Sequence, residues 1–539
     1  MGTTRMRVPP AEIVDLEKLV IDVQETFRCR VSDVANGSVL SIAFEDLPSL
    51  PALCRFLFWE AKCSFGGLIV EERVQHWELR YAFLAPYRGW IEVLVRLPLG
   101  TMSVPSISAD VHGADWHERE AEDLFGLQFE KHPRLGDFIL HDQFWGEGLA
   151  PFRKNFDMTQ VHANGDHNVD WRPLLVVRDP GAFAMPVGPV YEGGIGESVH
   201  FMLETVGEDV LRAVPRLFFN FRGIEKIAEG KTFDQTLLLA ERFAAKSSFA
   251  HSLAFCNAVE RICGASVPPR AMQFRVVLCE LERLRHHAGA ITGICESTAL
   301  TVSAAHAAII EERLLRTSCR FTGHRYLFGL NTAGGLHRDF TEQECQGLLG
   351  SVNAATEQLG ILEDRLSFTS SFLDRLEEAG IIEPQSARDL NLVGPVGRAS
   401  GLGHDLRKES PYGLYDQYEF EVPRENQGDG YARLRVLFQE AYQSALLIQQ
   451  VLSSLEGGPV RELCNPKHAG AAIGWVEAPI GAALHWLRLD EAGLVERYRV
   501  ITPSFNNWMG FHAAVENFAF QDFPIILATF ALSATECDR

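Results

Sequence analysis

Five long segments, at about residues 233–263, 271–297, 301–318, 342–376 and 432–456, carry apolar residues at i, i+3 and i+4, with few strand signals among them. Each such pattern gives a helix one apolar stripe, and stripes of this length are buried most readily against one another, so the core is read as a helical bundle. The chain has 539 residues, 46% of them hydrophobic, which is too many for one core and implies two or more domains. Residues 1–160 read as a small α+β domain, with an amphipathic helix from Pro10 to about Phe27 and alternating strands at 76–84 and 90–99. Asn, Asp, His and Gly mark a linker at 161–172, and the larger, mainly helical module occupies 173–539. Its tail, from Trp475, returns to short strands and loops. The fold class expected is therefore α+β.

Lys and Arg number 50 against 71 Asp and Glu, a net charge of −21. A surface this acidic argues against nucleic acid and bare anionic lipid as partners, so membrane association has to run through other proteins. The eleven cysteines contain no Cys-x-x-Cys pair, which argues against a zinc or iron–sulfur site of standard spacing and against a disulfide framework. They read as core thiols in a reducing compartment. The N-terminus has no apolar signal region, and the longest apolar run near the end, 523–532, is half a membrane span. A cytoplasmic location is expected, peripheral on the inner membrane through partner subunits, with no direct transmembrane insertion. The Gly-rich stretch at 186–201 is not a nucleotide loop, because no Lys-Ser/Thr ends it and no GxGxxG precedes a helix. Glu118, Arg119, Glu120, Glu122 and Asp123 form a dense run of charge that reads as the solvated or salt-bridged start of a helix.

Short motifs recur through both parts. They include the 116–126 charge run, Phe152–Phe156, Arg222–Glu225, Glu241–Arg242 with His251, Glu280–Arg283 with His287, Gly394–Gly401, Asp405–Lys408, Gly428–Asp429 and Glu477–Pro479. In this order they resemble a superfamily: the fused 30-kDa plus 49-kDa subunits of respiratory complex I, and the large subunit of membrane-bound group 4 nickel-iron hydrogenases of the hydrogenase-4 and formate hydrogenlyase type. The resemblance implies that 186–201 is a β-hairpin lining an active cavity against the helix at 241–260.

In a hydrogenase of this kind, Cys-x-x-Cys follows Glu-Arg and a second pair closes the chain; here those positions hold Ala244, Ser247, Ala534 and Cys537. Nickel needs soft anionic ligands, and a serine hydroxyl ionises far too weakly to replace a thiolate. No bound metal is expected. In the quinone-reducing branch a tyrosine and a hairpin histidine hold the head group; the tyrosine position falls on Ala245, and the histidine positions fall near Gly188 and Glu192, with the hydrogenase hairpin histidine near Tyr191. Tyr191 and Glu192 are candidate replacements, since a phenol and a carboxyl can relay protons. The resemblance also implies that Glu225 and His251 form a buried polar pair. Arg222 matches an arginine set against an iron–sulfur cluster in a neighbouring subunit, and Ala245, Ser247 and His287 complete the cofactor-facing set.

Arg398, Asp405, Arg407, Lys408 and Asp429 lie in an irregular insert at 394–431, which in the family borders the route to a membrane arm. Buried charges of this number have to pair with one another to offset desolvation. Two functions remain open. In one, electrons from the partner cluster reduce a quinone or another small acceptor and drive ion translocation. In the other, the chain is a redox-inactive scaffold that couples an electron-input subunit to membrane-arm subunits.

Overall fold

The computed structural model describes residues 16–27, 29–34, 39–141, 145, 148–157, 159, 176–177, 179–190, 198–464 and 469–539. Helix α1 (Leu16–Phe27) precedes a five-stranded sheet of β1 (Arg30–Val34), β2 (Val39–Phe44), β3 (Ser64–Glu72), β4 (His76–Ala85) and β5 (Gly89–Pro98), in the order β1-β2-β5-β4-β3. Only β2 and β5 pair in parallel, with α2 (Leu50–Arg55) between β2 and β3. Successive side chains of a strand point to opposite faces. Here that alternation divides the sheet between two cores: Leu68, Val70, Tyr81 and Phe83 join one cluster, while Ile69, Ala82, Leu84 and Trp90 join the helical bundle. The first sheet is thus a shared wall between the two modules.

Helix α3 (Asp115–Phe125) ends at Gly126 in the left-handed region (φ 76°), between β6 (Ser103–Pro105) and β7 (Gln128–Glu130), which pair in parallel. Of the two readings of its charge run, the salt-bridged one holds for Glu120, which pairs with Arg499 and Arg539, while Glu118 is fully buried and accepts from Ser106 Oγ and Ile107 N, and Asp123 accepts from the main chain at Ile139 and Leu140. The predicted linker, 161–172, lies outside the described residues. Strands β8 (Phe183–Val190), β9 (Val199–Val206) and β10 (Asp209–Arg216) then form an antiparallel meander. The expected hairpin is therefore present, but its tip, with Tyr191 and Glu192, lies outside the described residues.

The bundle follows: α4 (Ile224–Ile227), α5 (Phe233–Arg242), α6 (Ser248–Cys263), α7 (Pro269–Ser297) and α8 (Thr301–Thr322). A two-residue hairpin, β11 (Asn331–Thr332) and β12 (Gly335–Leu336), leads to α9 (Glu342–Ser367) and α10 (Ser370–Leu376). The insert carries α12 (Gly394–Ala399) and α13 (Leu406–Glu409) after α11 (Pro384–Asp389), and α14 (Gly430–Ser453) closes the bundle. A three-stranded antiparallel sheet, β13 (Gly470–Ala478), β14 (Gly481–Leu489) and β15 (Val495–Ile501), packs on α6. The tail is more helical than its sequence signals: α15 (Pro503–Ala514), β16 (Phe518–Ala519), which joins the edge of β10, α16 (Phe523–Phe530) and α17 (Ala534–Cys537). The apolar run that reads as half a membrane span is α16, buried between α7 and α14. No described helix is long and apolar enough to cross a membrane.

Candidate functional site

The helical pattern at 233–263 is broken in the structure. Helix α5 starts in a capping box, Thr232 with Gln235, and stops at Phe243; Ala244 is extended, Ala245–Ser247 form a 3₁₀ turn, and α6 begins. Serine before a helix usually caps it. Ser247 instead gives its hydroxyl to the Glu536 carboxylate of α17, and the first N–H groups of α6, at Phe249 and Ala250, donate to Glu282 of α7 at 2.8 and 2.9 Å. The serine is freed for a contact across 289 residues of sequence.

Behind Ser247 runs a buried polar chain. His251 Nε2 lies 3.5 Å from Glu536 Oε1, His251 Nδ1 is 3.0 Å from His485 Nε2, and His485 Nδ1 is 2.7 Å from the Tyr498 hydroxyl. Burial pushes the Tyr498 phenol well above its ordinary value and His485 well below, so the former keeps its proton and the latter is neutral. Burial also opposes charge on Glu536, but the donors His251, Ser247 and Ser504 outweigh it and hold its carboxyl below the usual value. With His485 neutral, the donors run one way: Tyr498 donates to His485 Nδ1 and His485 Nε2 donates to His251 Nδ1, which leaves His251 Nε2 facing Glu536.

Arg222 brings the C-terminal segment to this place. It donates to the carbonyls of Asp538, Phe243 and Thr535, all at 2.9 Å, so the end of α5 and the turn of α17 sit side by side. It is exposed at the surface. Glu225, paired with His251 in the sequence reading, belongs to a separate cluster: it binds Arg497 at 2.9 Å and Arg499 at 3.1 Å, with Arg539 Nε at 3.4 Å, while Arg499 and Arg539 also hold Glu120 of α3. Glu120 is therefore a buried strut between the two modules. The donor set does not fit a nickel-iron centre. Ala244 and Ala534 offer no ligand, Ser247 is committed to Glu536, and burial raises the Cys537 thiol well above its ordinary value. Ala245 is exposed.

A second polar cluster centres on α7. Arg398 Nε donates to Glu440 of α14 at 2.7 Å, and its Nη1 donates to Glu477 of β13 at 2.8 Å. Arg407 holds Asp405 through Nη2 at 2.6 Å and Glu280 through Nη1 at 3.1 Å. Glu280 also accepts from Arg283 at 3.2 Å and from Tyr415 and Ser444 at 2.7 Å. His287 belongs here rather than with the cofactor-facing set: its Nε2 is 3.0 Å from Glu440. All of these charged groups are buried. They comprise four carboxylates and three guanidiniums, one negative charge in excess with His287 neutral, and burial does lower the His287 value. Burial, reinforced by Asp405, pushes Glu477 up to about 7, so the excess charge is the one that titrates near neutrality.

Two of the five insert charges lie elsewhere. Lys408 is partly exposed with its ammonium 3.9 Å from the centre of the Phe420 ring. Asp429 caps α14, accepting from Ala432 N at 2.8 Å and from Glu378 N at 2.9 Å. Glu440, which joins Arg398 to His287, is the only acidic residue of α14 and carries no motif to announce it. A cleft between the first sheet and the insert reaches this cluster, with His404, Asp405, Glu409 and Glu477 in its wall.

Comparisons with known proteins agree with this architecture. The family profile described as "Respiratory-chain NADH dehydrogenase, 49 Kd subunit" matches residues 299–469, and that described as "Respiratory-chain NADH dehydrogenase, 30 Kd subunit" matches residues 46–162. Formate hydrogenlyase subunit 5 of Escherichia coli (strain K12) is 30% identical over 492 residues, 89% of this chain and 85% of that protein. The NADH-quinone oxidoreductase C/D protein of Bdellovibrio bacteriovorus is 31% identical over 361 residues, 64% of this chain and 62% of that protein. A chain from the structure of a membrane-bound sulfane sulfur reductase, an archaeal respiratory membrane complex, superposes with a TM-score of 0.63 at 25% identity, covering 68% of this chain and all of that one. This chain belongs to the family in which a complex I 30-kDa-type domain is fused to a 49-kDa-type domain, together with formate hydrogenlyase subunit 5 and the NADH-quinone oxidoreductase C/D proteins.

Proposed function

We propose that this chain is the large subunit of a membrane-associated complex I-like or hydrogenase-4-like oxidoreductase that works without a nickel-iron centre. It passes electrons from an iron–sulfur cluster in a neighbouring subunit to a quinone or another small acceptor and couples that step to ion translocation. The observation that carries the reading is the Tyr498–His485–His251–Glu536 chain. It ends where the family's thiolate positions hold Ala244, Ser247 and Ala534, and it supplies protons there without a metal. Arg222, exposed with Phe219 and Ile227 near it in sequence, offers the partner a cation flanked by apolar side chains. The buried cluster around Arg398 and Glu477 is the element suited to coupling, since a titrating carboxyl among fixed guanidiniums responds to charge arriving nearby.

The second reading, a redox-inactive coupling scaffold, draws on Ala245, which places no donor where a quinone head group would be held. An anaerobic assay separates them: the complex is isolated through a tag on this chain, a low-potential viologen donates, and a soluble quinone or polysulfide accepts. The solved relative's sulfane sulfur chemistry makes polysulfide the second acceptor to supply. Turnover that falls in Ala245→Trp, in an assembled complex, is the expected result. Reducible clusters with turnover on neither acceptor would reject the redox reading and leave the scaffold.

A further inference from the structure

Among the eleven cysteines, Cys263 and Cys464 stand out because each thiol acts more strongly on the other than any other group does, and both belong to one cluster at the end of α6. Their proximity is built by two independent sets of bonds. Cys263 is the last residue of α6, which stops at Gly264 in the left-handed region. One turn earlier, Glu260 accepts from Gly334 N at 2.8 Å and holds Arg275, which in turn donates to the carbonyls of Thr332 and Gly335. The β11–β12 hairpin is thereby fixed to the last turn of α6. The segment that leaves α14 is fastened to the same hairpin, through Leu336 N to Val460 O at 2.8 Å and Glu462 N to Gly334 O at 2.9 Å. A Cβ placed on Gly334 would lie 3.6 Å from Cys464 Cβ. Both residues therefore belong to one apolar cluster, Cys464 buried within it and Cys263 half-buried against it.

We propose that Cys263 and Cys464 are a reversible redox pair that closes to a disulfide when hydrogen peroxide reaches the last turn of α6. Cys263 is the attacking sulfur, because it is the more accessible and because Cys464 lowers its thiol value, while Cys464 is raised. The Cys263 thiolate attacks one peroxide oxygen, the O–O bond breaks, and the departing hydroxide takes a proton to become water. The Cys464 sulfur then attacks the sulfenic acid, the S–S bond forms, and the second oxygen leaves as water. Two thiols lose two electrons in all, and one peroxide becomes two waters. A dithiol reverses the step by exchange. The bridge ties α6, whose first turn carries His251, to the segment leaving α14, which carries Glu440.

The test uses the full chain in its complex, prepared reduced, exposed to hydrogen peroxide, blocked with N-ethylmaleimide and digested without reduction. Mass spectrometry is expected to find the Cys263 and Cys464 peptides joined and lighter by two hydrogens than the free pair, and separated again by dithiothreitol. The joined species is lost in Cys263→Ser and in Cys464→Ser and kept in Cys319→Ser. Recovery of Cys263 and Cys464 as separate adducts or sulfonic acids, under conditions that oxidise the exposed Cys319, would overturn the proposal without recourse to any variant. So would a predominant bridge from Cys263 to any other cysteine.

Discussion

The two buried polar regions, one around His251 and one around Arg398, are built on opposite electrostatic plans. The His251 region is a thread of mostly neutral donors and acceptors ending on one carboxylate. The Arg398 region is a lattice in which each of three guanidiniums meets two or more carboxylates. A neutral position in the first tolerates alanine or serine, because nothing charged is left unpaired. In the second, removing any one member strands a buried charge, at a cost far above a lost hydrogen bond. Positions where the family's ligands are missing therefore sit in the thread, while the lattice is complete.

The largest effect expected is from the lattice. Arg398→Met leaves Glu440 and Glu477 facing each other without their shared cation and is expected to destabilise the chain by about 3–5 kcal/mol. Chemical denaturation reads this directly, and adding Glu440→Gln to the same chain should recover part of the loss, since the stranded charge is removed with its partner. Equal stability of the single variant and the wild type would mean that the lattice is solvated and the contrast is false.

The lattice also gives the chain a pH dependence opposite in sign to that of the thread, where Glu536 and His485 are held below their ordinary values. Glu477 has its folded value raised to about 7 by burial, above the ordinary carboxyl value of 4.5. The folded state thus holds more protons than the unfolded state between these values, and stability falls as pH rises through the window. Its contribution is full below about pH 4.5 and lost by about pH 7, a span of roughly 3 kcal/mol. Glu477→Gln should flatten that part of a stability-against-pH curve; an unchanged slope would assign the titration to another group.

In the thread the expected effect is smaller. Glu536→Ala removes the acceptor of Ser247, Ser504 N and His251 and leaves buried donors unsatisfied, a cost of about 1–3 kcal/mol. A loss as large as that of Arg398→Met would show that the region is ionic after all.

Much of this is legible in the residues, and the failures have physical causes. The helical periods place α7, α8 and α14 to within about four residues, because long buried stripes leave a strong signal, while the segment read at 342–376 runs on past the end of α9 through α10. The break at Ala244–Ser247 is invisible, since Phe-Ala-Ala-Lys-Ser-Ser contains no proline or glycine and the stop depends on Glu282 and Glu536, distant in sequence. The tail helices escape the pattern because α15 and α16 are apolar on most faces and short, so periodicity cannot separate them from buried strands. For the sites, the motifs deliver Arg398, Asp405, Arg407, Glu280 and Glu477, but not how they divide. Charge spacing along an irregular insert gives no direction to side chains, and Glu440 and Glu536 become visible only when helices far apart in sequence meet.

Asp405 and Asp429 sharpen the contrast at its smallest scale, since both are aspartates that cap a helix. Asp405 accepts from Arg407 N at the start of α13 and binds two guanidiniums as well, with Arg398 at 3.6 Å and Arg407 at 2.6 Å. Asp429 accepts only main-chain N–H groups in the bonds it makes, those of Ala432 and Glu378. Asn supplies the same cap acceptor as Asp but carries no charge. Asp429→Asn should therefore cost little and Asp429→Ala about 1 kcal/mol, whereas Asp405→Asn should cost more than Asp429→Asn because two buried cations lose a counter-charge. Thermal unfolding of the matched pair measures the difference. If the two asparagine variants melt together, Asp405 is a cap like Asp429, and the lattice ends at Glu280.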